Sequence, residues 1–223
     1  MKEPPLAAAQ AIAAPRLWAS DELPFLPYGS GAADLALYLD LLLAWNRKLN
    51  LTACQDAVSL LRDLAQDSIF LASFLEELAW RKQWPKTGMQ ILDLGAGAGL
   101  PGIPLRIFWG RGDYTWIERR QKRALFLQNA CARLKLANCA GYCGDASDFF
   151  KQTRQKARCI LSRAFMPWQK LLNFCAGQLA SAGSLIIMAN HEPPELPAGW
   201  RLDSALPCKL PAKTHWLWAL SQS

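Results

Sequence analysis

The stretch 91-ILDLGAGAGLPGIP-104 runs from a short apolar segment through an acid, Asp93, into four glycines (Gly95, Gly97, Gly99, Gly102) and two prolines. An apolar strand, a glycine-rich turn and a helix start, in that order, form the first strand–helix unit of a doubly wound sheet. In that architecture a nucleotide-like ligand sits at the turn. Glycine serves there because a Cβ would hold the ligand away from the main chain, and because some turn positions need positive φ. Gly97-x-Gly99-x-x-Gly102 also satisfies G-x-G-x-x-G, which on its own is compatible with a dinucleotide as well as with other nucleoside ligands.

Outward from this loop, strand and helix patterns alternate. "MQILDL" (89–94), "YTWIE" (114–118), "CAGYCGD" (139–145), "ARCILS" (157–162) and "GSLIIMAN" (183–190) read as strands. "GIPLRIFW" (102–109), "RRQKRALFLQNACARLKL" (119–136) and a segment over 168–180 read as helices. Two closing extended segments, 200–209 and 214–220, have no helix between them. The expectation is an α/β, Rossmann-like fold with a mostly parallel sheet and an antiparallel C-terminal hairpin. Upstream, "AADLALYLDLLLAWNRKLN" (32–50) and "DAVSLLRDLAQDSIFLASFLEELAW" (56–80) carry helical apolar stripes. The chain therefore divides into a loose Pro/Ala-rich extension (1–31), a helical section (32–85) and a ligand-binding domain (86–223).

Composition excludes several classes. The seven cysteines are odd in number and contain no C-x-x-C pair, and the only histidines are His191 and His215. That argues for free thiols in the cytoplasm and against a disulfide framework or a zinc site. No apolar run approaches the roughly 20 residues of a membrane span. Lys and Arg exceed Asp and Glu by 25 to 18, a net +7 that permits a polyanionic partner.

Three acids choose between ligands. Asp93 precedes the glycines, Glu118 ends the second strand, and Asp145 ends the third in "GDASDF". A carboxylate at Asp93 would repel a pyrophosphate and attract a sulfonium or ammonium group; Glu118 suits a ribose diol. One acid after each of three consecutive strands fits S-adenosyl-L-methionine. Each acid has an alternative reading as a helix N-cap.

"WNRKLNLT" (45–52), "DS" (67–68), "ILDLGAGAGLPGIPLRI" (91–107), "KRALFLQNACARLKL" (122–136) and "SRAF" (162–165) follow the order and spacing of the glucose-inhibited division protein B family, which this chain resembles from about residue 32 to 221. The resemblance implies a class I methyltransferase fold and methylation of N7 of one guanosine in 16S rRNA. It implies cofactor contacts at Gly95, Leu100, the stretch Asp145-Ala146-Ser147, and Arg163. The chain departs from the family at Asp63-Leu64, where Arg-His is usual, at Ala189-Asn190 in place of Lys-Gly, and in "GDASDF" itself. These changes bear on the RNA-facing contacts.

Guanine N7 offers a free lone pair, so its methylation needs no general base and rests on positioning. Arg163 is the catalytic candidate: it holds the donor's carboxylate or the guanine, or it pairs with a neighbouring helix end. Arg119, Arg120, Lys122 and Arg123 crowd the start of a helix, where cations oppose the macrodipole. With Lys48, and with Arg47, Arg106 and Arg111 extending the surface, they are read as RNA-binding. Trp45 reads as core, and Trp168 as a neighbour of a flipped base. The expected partner is 16S rRNA or a 30S precursor, met by a monomer without metal. Two other readings stay open: an RNA-binding protein of this fold with altered or lost activity, and a nicotinamide-dependent oxidoreductase.

Overall fold

The computed structural model describes residues 30–210 and 214–222. The expected loose extension falls outside the described residues as far as residue 29. Seven strands form one sheet: β1 (Gln90–Leu94), β2 (Asp113–Glu118), β3 (Cys139–Cys143), β4 (Ala157–Arg163), β5 (Leu179–Ala189), β6 (Trp200–Lys209) and β7 (Thr214–Gln222). Their order is β3-β2-β1-β4-β5-β7-β6. The first five are parallel, and β7 runs antiparallel to both neighbours, inserted between β5 and β6. The strand order changes direction at β1, with β2 and β3 added on one side and β4 and β5 on the other. In open parallel sheets the ligand crevice lies at such a switch point, beyond the carboxyl ends of the two central strands.

Two layers cover the sheet. On one face lie α1 (Ser30–Leu49), α3 (Gln66–Arg81), α4 (Gly102–Phe108) and α5 (Gln121–Arg133), packed on Ile91, Tyr114, Trp116, Leu161, Leu217 and Ala219. On the other lie α6 (Ala146–Gln152) and α7 (Trp168–Cys175), packed on Leu92, Leu94, Ile117, Ile160, Ile187 and Trp218. Strand side chains alternate faces, so every second residue belongs to the same layer. The helical section shares one core with the sheet: Leu35, Tyr38 and Leu42 of α1 lie in a cluster with Ile91, Ile103 and Phe126. Asn46, from "WNRKLNLT", secures the turn after α1 by donating Nδ2 to Cys54 O at 3.0 Å and accepting Thr52 N at 2.9 Å.

The structure departs from the sequence expectations in four places. The single helix expected over 56–80 is α2 (Ala57–Leu60) and α3 joined by a π-helical turn, Leu61–Ala65. The helix expected to reach 180 stops at Cys175, where Ala176 turns extended and Gly177 takes φ +70°. β5 consequently begins at Leu179, four residues early, with Ala182 at φ +56° absorbing an irregular register against β4. Finally α6 was not expected. Its seven residues are too few to show a periodic stripe, and Asp145 caps it.

Candidate functional site

The glycine loop leaves β1 with Gly95 N and Ala96 N both donating to Ile117 O of β2, at 2.9 and 3.1 Å. Its glycines serve different ends. Gly97 is buried at φ +60°, a conformation that favours glycine, and a Cβ there would meet nothing nearer than 3.5 Å. Gly102 is glycine for an internal reason: a Cβ would run into the Tyr114 hydroxyl and the Asp93 carboxylate. A Cβ on Gly95 would lie 2.6 Å from Cδ2 of Phe165. Leu100 is half-buried at the end of the loop.

Asp93 shares the face of Ile91 and is 1% exposed. Its carboxyl is therefore turned into the helical side of the sheet, not into the crevice, and Tyr114 donates its hydroxyl to Oδ2 at 2.7 Å. Burial pushes its pKa up to about 6, against the opposing pull of the Tyr114 hydrogen bond and the Arg163 charge. Fully buried Tyr38 of α1 donates to Ala98 O at 2.7 Å, so the helical section braces the glycine loop.

Arg163, on the same face of β4 as Cys159 and Leu161, reaches into α3. Nη1 donates to Leu64 O at 2.9 Å and Asp67 Oδ1 at 3.1 Å, and Nη2 stands 3.0 Å from Asp67 Oδ2. Asp67 is completely buried, and His215 Nδ1 of β7 joins it at 2.8 Å. The helix-end ion pair weighed for Arg163 is thus present. It leaves two of the five guanidinium N–H groups without a partner among these contacts.

Glu118 is buried, with Oε2 accepting from Gly97 N at 3.0 Å and Oε1 from Arg120 N at 2.8 Å. Each carboxylate oxygen retains acceptor capacity for a further donor. Asp145 is exposed and caps α6, accepting Ser147 N at 2.9 Å; that hydrogen bond holds its carboxyl below the usual range. Ala146 is buried and Ser147 half-buried beside it. Glu118 O accepts Gly144 N at 3.1 Å and so ties the β3 loop to the end of β2.

The basic cluster divides. Arg119, Arg120 and Lys122 are exposed, whereas Arg123 is half-buried, with Nη1 3.5 Å from where a Gly97 Cβ would stand. Lys48 and Arg47 are exposed at the end of α1, and Trp45 packs against Phe126 of α5 with ring centroids 5.7 Å apart. Arg106 and Arg111 do not extend this surface. Arg106 is buried, donating to Arg111 O and Ala137 O at 2.6 and 2.9 Å, and Arg111 is tied to Glu76 of α3 at 2.5 Å. Both are spent on joining loops inside the protein. Trp168 meets Trp218 edge-on at 6.2 Å, so the aromatic beside the loop is Phe165.

Tyr38, Tyr114, Asp67, His215 and Phe165 complete the site's frame without having been singled out as site residues from the sequence. "DS" and "SRAF" marked two of them as family motifs. Asp67 stands between Gln66 and Ser68, so only the "DS" motif marked it, and His215 was signalled only by heading the apolar run 216–220.

Residues 32–199 match the family of rRNA small subunit methyltransferase G, GidB. The chain is 41% identical over 184 residues to ribosomal RNA small subunit methyltransferase G of Nitratidesulfovibrio vulgaris, covering 82% of each protein. It is 35% identical over 211 residues to the protein of that name from Oleidesulfovibrio alaskensis, covering 90% of each. The chain belongs to this family. The methyltransferase G relatives extend across both the helical section and the sheet. For the fold alone, an rRNA methylase from Streptococcus thermophilus superposes with a TM-score of 0.51 at 12% identity, over 66% of this chain and 94% of that one. Among the described residues no helix is long and apolar enough to cross a membrane.

Proposed function

We propose that this protein transfers the methyl group of S-adenosyl-L-methionine to N7 of a guanosine in 16S rRNA, acting as a cytoplasmic monomer on the rRNA or a 30S precursor. The observation that carries the reading is family membership across residues 32–199, which include the glycine loop and Arg163. The loop suits the donor: room beside Gly97 where a side chain would stand, acceptor capacity on Glu118, and the exposed carboxylate of Asp145 with Ser147 beside it. Gly95, Gly97, Gly99 and Leu100 would form the cradle, Glu118 would take the ribose hydroxyls, and Asp145, Ala146 and Ser147 would border the base. The bound donor supplies a methyl group activated on a sulfonium.

The chain's residues then act by placement. Asp93 supports from beneath, through Tyr114, the turn that Gly102 closes. Arg163, held by Asp67, offers its remaining N–H groups to the donor's carboxylate or to the guanine. Because N7 carries no proton, no residue is required to remove one, and alignment of acceptor, carbon and sulfur is the main catalytic task. Arg119, Arg120, Lys122 and Lys48 would meet phosphates, with Arg123 reaching back toward the donor.

Nucleoside mass spectrometry of 16S rRNA from cells with and without the gene tests this: 7-methylguanosine is expected to be lost with the gene. An unchanged level would refute it. Calorimetric titration with adenosylhomocysteine against NAD separates this reading from an oxidoreductase. RNA binding without turnover would instead mark a protein of this fold that has lost its activity.

A further inference from the structure

Phe165 occupies the junction of the two halves of the site. It follows Arg163 by two residues, and its ring edge lies where a Cβ on Gly95 would come within 2.6 Å of it. The residue between them, Ala164, sits at φ +51°, a left-handed conformation that is unfavourable for a residue with a Cβ. Strain of this kind persists only where surrounding structure imposes it, and it concentrates at working sites. Its effect is to swing the chain at the end of β4, bringing Phe165 across to the β1 loop. The ring is half-buried, backed by Phe174 of α7 at a centroid distance of 5.8 Å. Behind Phe174 stands Phe150 of α6 at 5.3 Å, so the ring is buttressed against the sheet's second layer.

We infer that Phe165 is the stacking wall of the acceptor pocket, holding the plane of the target purine beside the methyl donor; this rests on the methyl-transfer function proposed above. A reaction that removes no proton leaves orientation as the main contribution the protein can make, and a flat apolar surface beside Gly95 fixes the plane of a ring. Bases drawn out of RNA are held in this way on aromatic side chains. Trp168, the other aromatic near this loop, is committed edge-on to Trp218 at 6.2 Å.

The test compares Phe165→Ala, Phe165→Leu and Phe165→Tyr with the unmodified protein, using 30S subunits from cells lacking the gene and adenosylhomocysteine as the binding probe. Removing the ring should lower kcat/KM for RNA by about 10- to 100-fold in both Ala and Leu variants, the range that base–aromatic stacking provides. Adenosylhomocysteine affinity by calorimetry should stay within about threefold, and Tyr should restore turnover to within about fivefold. Near-normal turnover in the Leu variant would overturn the inference, because bulk alone would then suffice. So would a parallel loss of adenosylhomocysteine affinity, which would assign the ring to the donor, or failure of Tyr with donor affinity intact. If the unmodified protein forms no 7-methylguanosine, the function reading fails first and takes this inference with it.

Discussion

On the helical side of β1 and β4 the polar groups are bonded to one another, buried at Tyr114 and Asp93, at Tyr38 (to Ala98 O) and at His215 and Asp67, with only Arg163, also paired to Asp67, keeping part of its guanidinium accessible. Across the crevice, Asp145, Arg119, Arg120 and Lys122 stand in solvent, with Asp145 held by one capping hydrogen bond. The two regions use the same residue types for different work. Burial makes each lost partner expensive on the first side, because the group left behind cannot turn to water. On the second side water replaces what is removed, and the loss shows in ligand affinity. Substitutions should therefore separate stability from binding.

The largest stability effect is expected for Asp67→Ala, which strands Arg163 and His215 together. Breaking a buried pair of this kind costs about 3–5 kcal/mol, read as a fall in the urea midpoint at unchanged slope. Asp93 comes next, and its sign is opposite. Its carboxyl titrates near 6 when folded against 3.8 when exposed, so the folded state binds more protons between those values. Stability from this group is present at low pH and lost as pH rises from about 4 to about 6, by a magnitude on the order of 2–3 kcal/mol. Asp93→Asn keeps an acceptor for Tyr114 and removes the ionisation. The difference in unfolding free energy between variant and parent should therefore grow in favour of the variant across that window, as followed by urea titrations from pH 4 to pH 8.

The overall architecture was legible because periodicity alternates cleanly after residue 89, and two extended segments close the chain without a helix. Glu118 ends β2 as expected, whereas β3 stops at Cys143 and Asp145, two residues on, is the N-cap of α6, the alternative reading of that acid. What the sequence left open was direction. Asp93 belongs to the face of Ile91, and only the position of Tyr114 shows that its carboxyl is committed inward. Arg106 and Arg111 looked like surface charge because nothing local reveals that Ala137 O and Glu76 await them. Arg163's tie depends on Asp67, 96 residues away in sequence, and so leaves no local trace.

Smaller effects belong to the open side. Asp145→Ala removes the cap of a seven-residue helix, costing about 1 kcal/mol. On the proposed assignment it should also weaken adenosylhomocysteine binding by calorimetry, a loss that Asp67→Asn should not match kcal for kcal. Least of all should stability respond to Arg119→Gln, Arg120→Gln or Lys122→Gln, each within about 0.5 kcal/mol by thermal melting. Each should instead reduce the salt dependence of RNA binding by roughly one unit of slope, measured by filter binding across potassium chloride concentrations.

The insertion of β7 between β5 and β6 bears on how the protein is made. β7, which follows β5 and β6 in the chain, supplies His215 to a carboxylate 148 residues upstream and covers an edge of β5 that would otherwise lie open. A chain emerging from the ribosome thus cannot close this sheet until residues 214–222 are out, and until then the β5 edge is a template for wrong pairing.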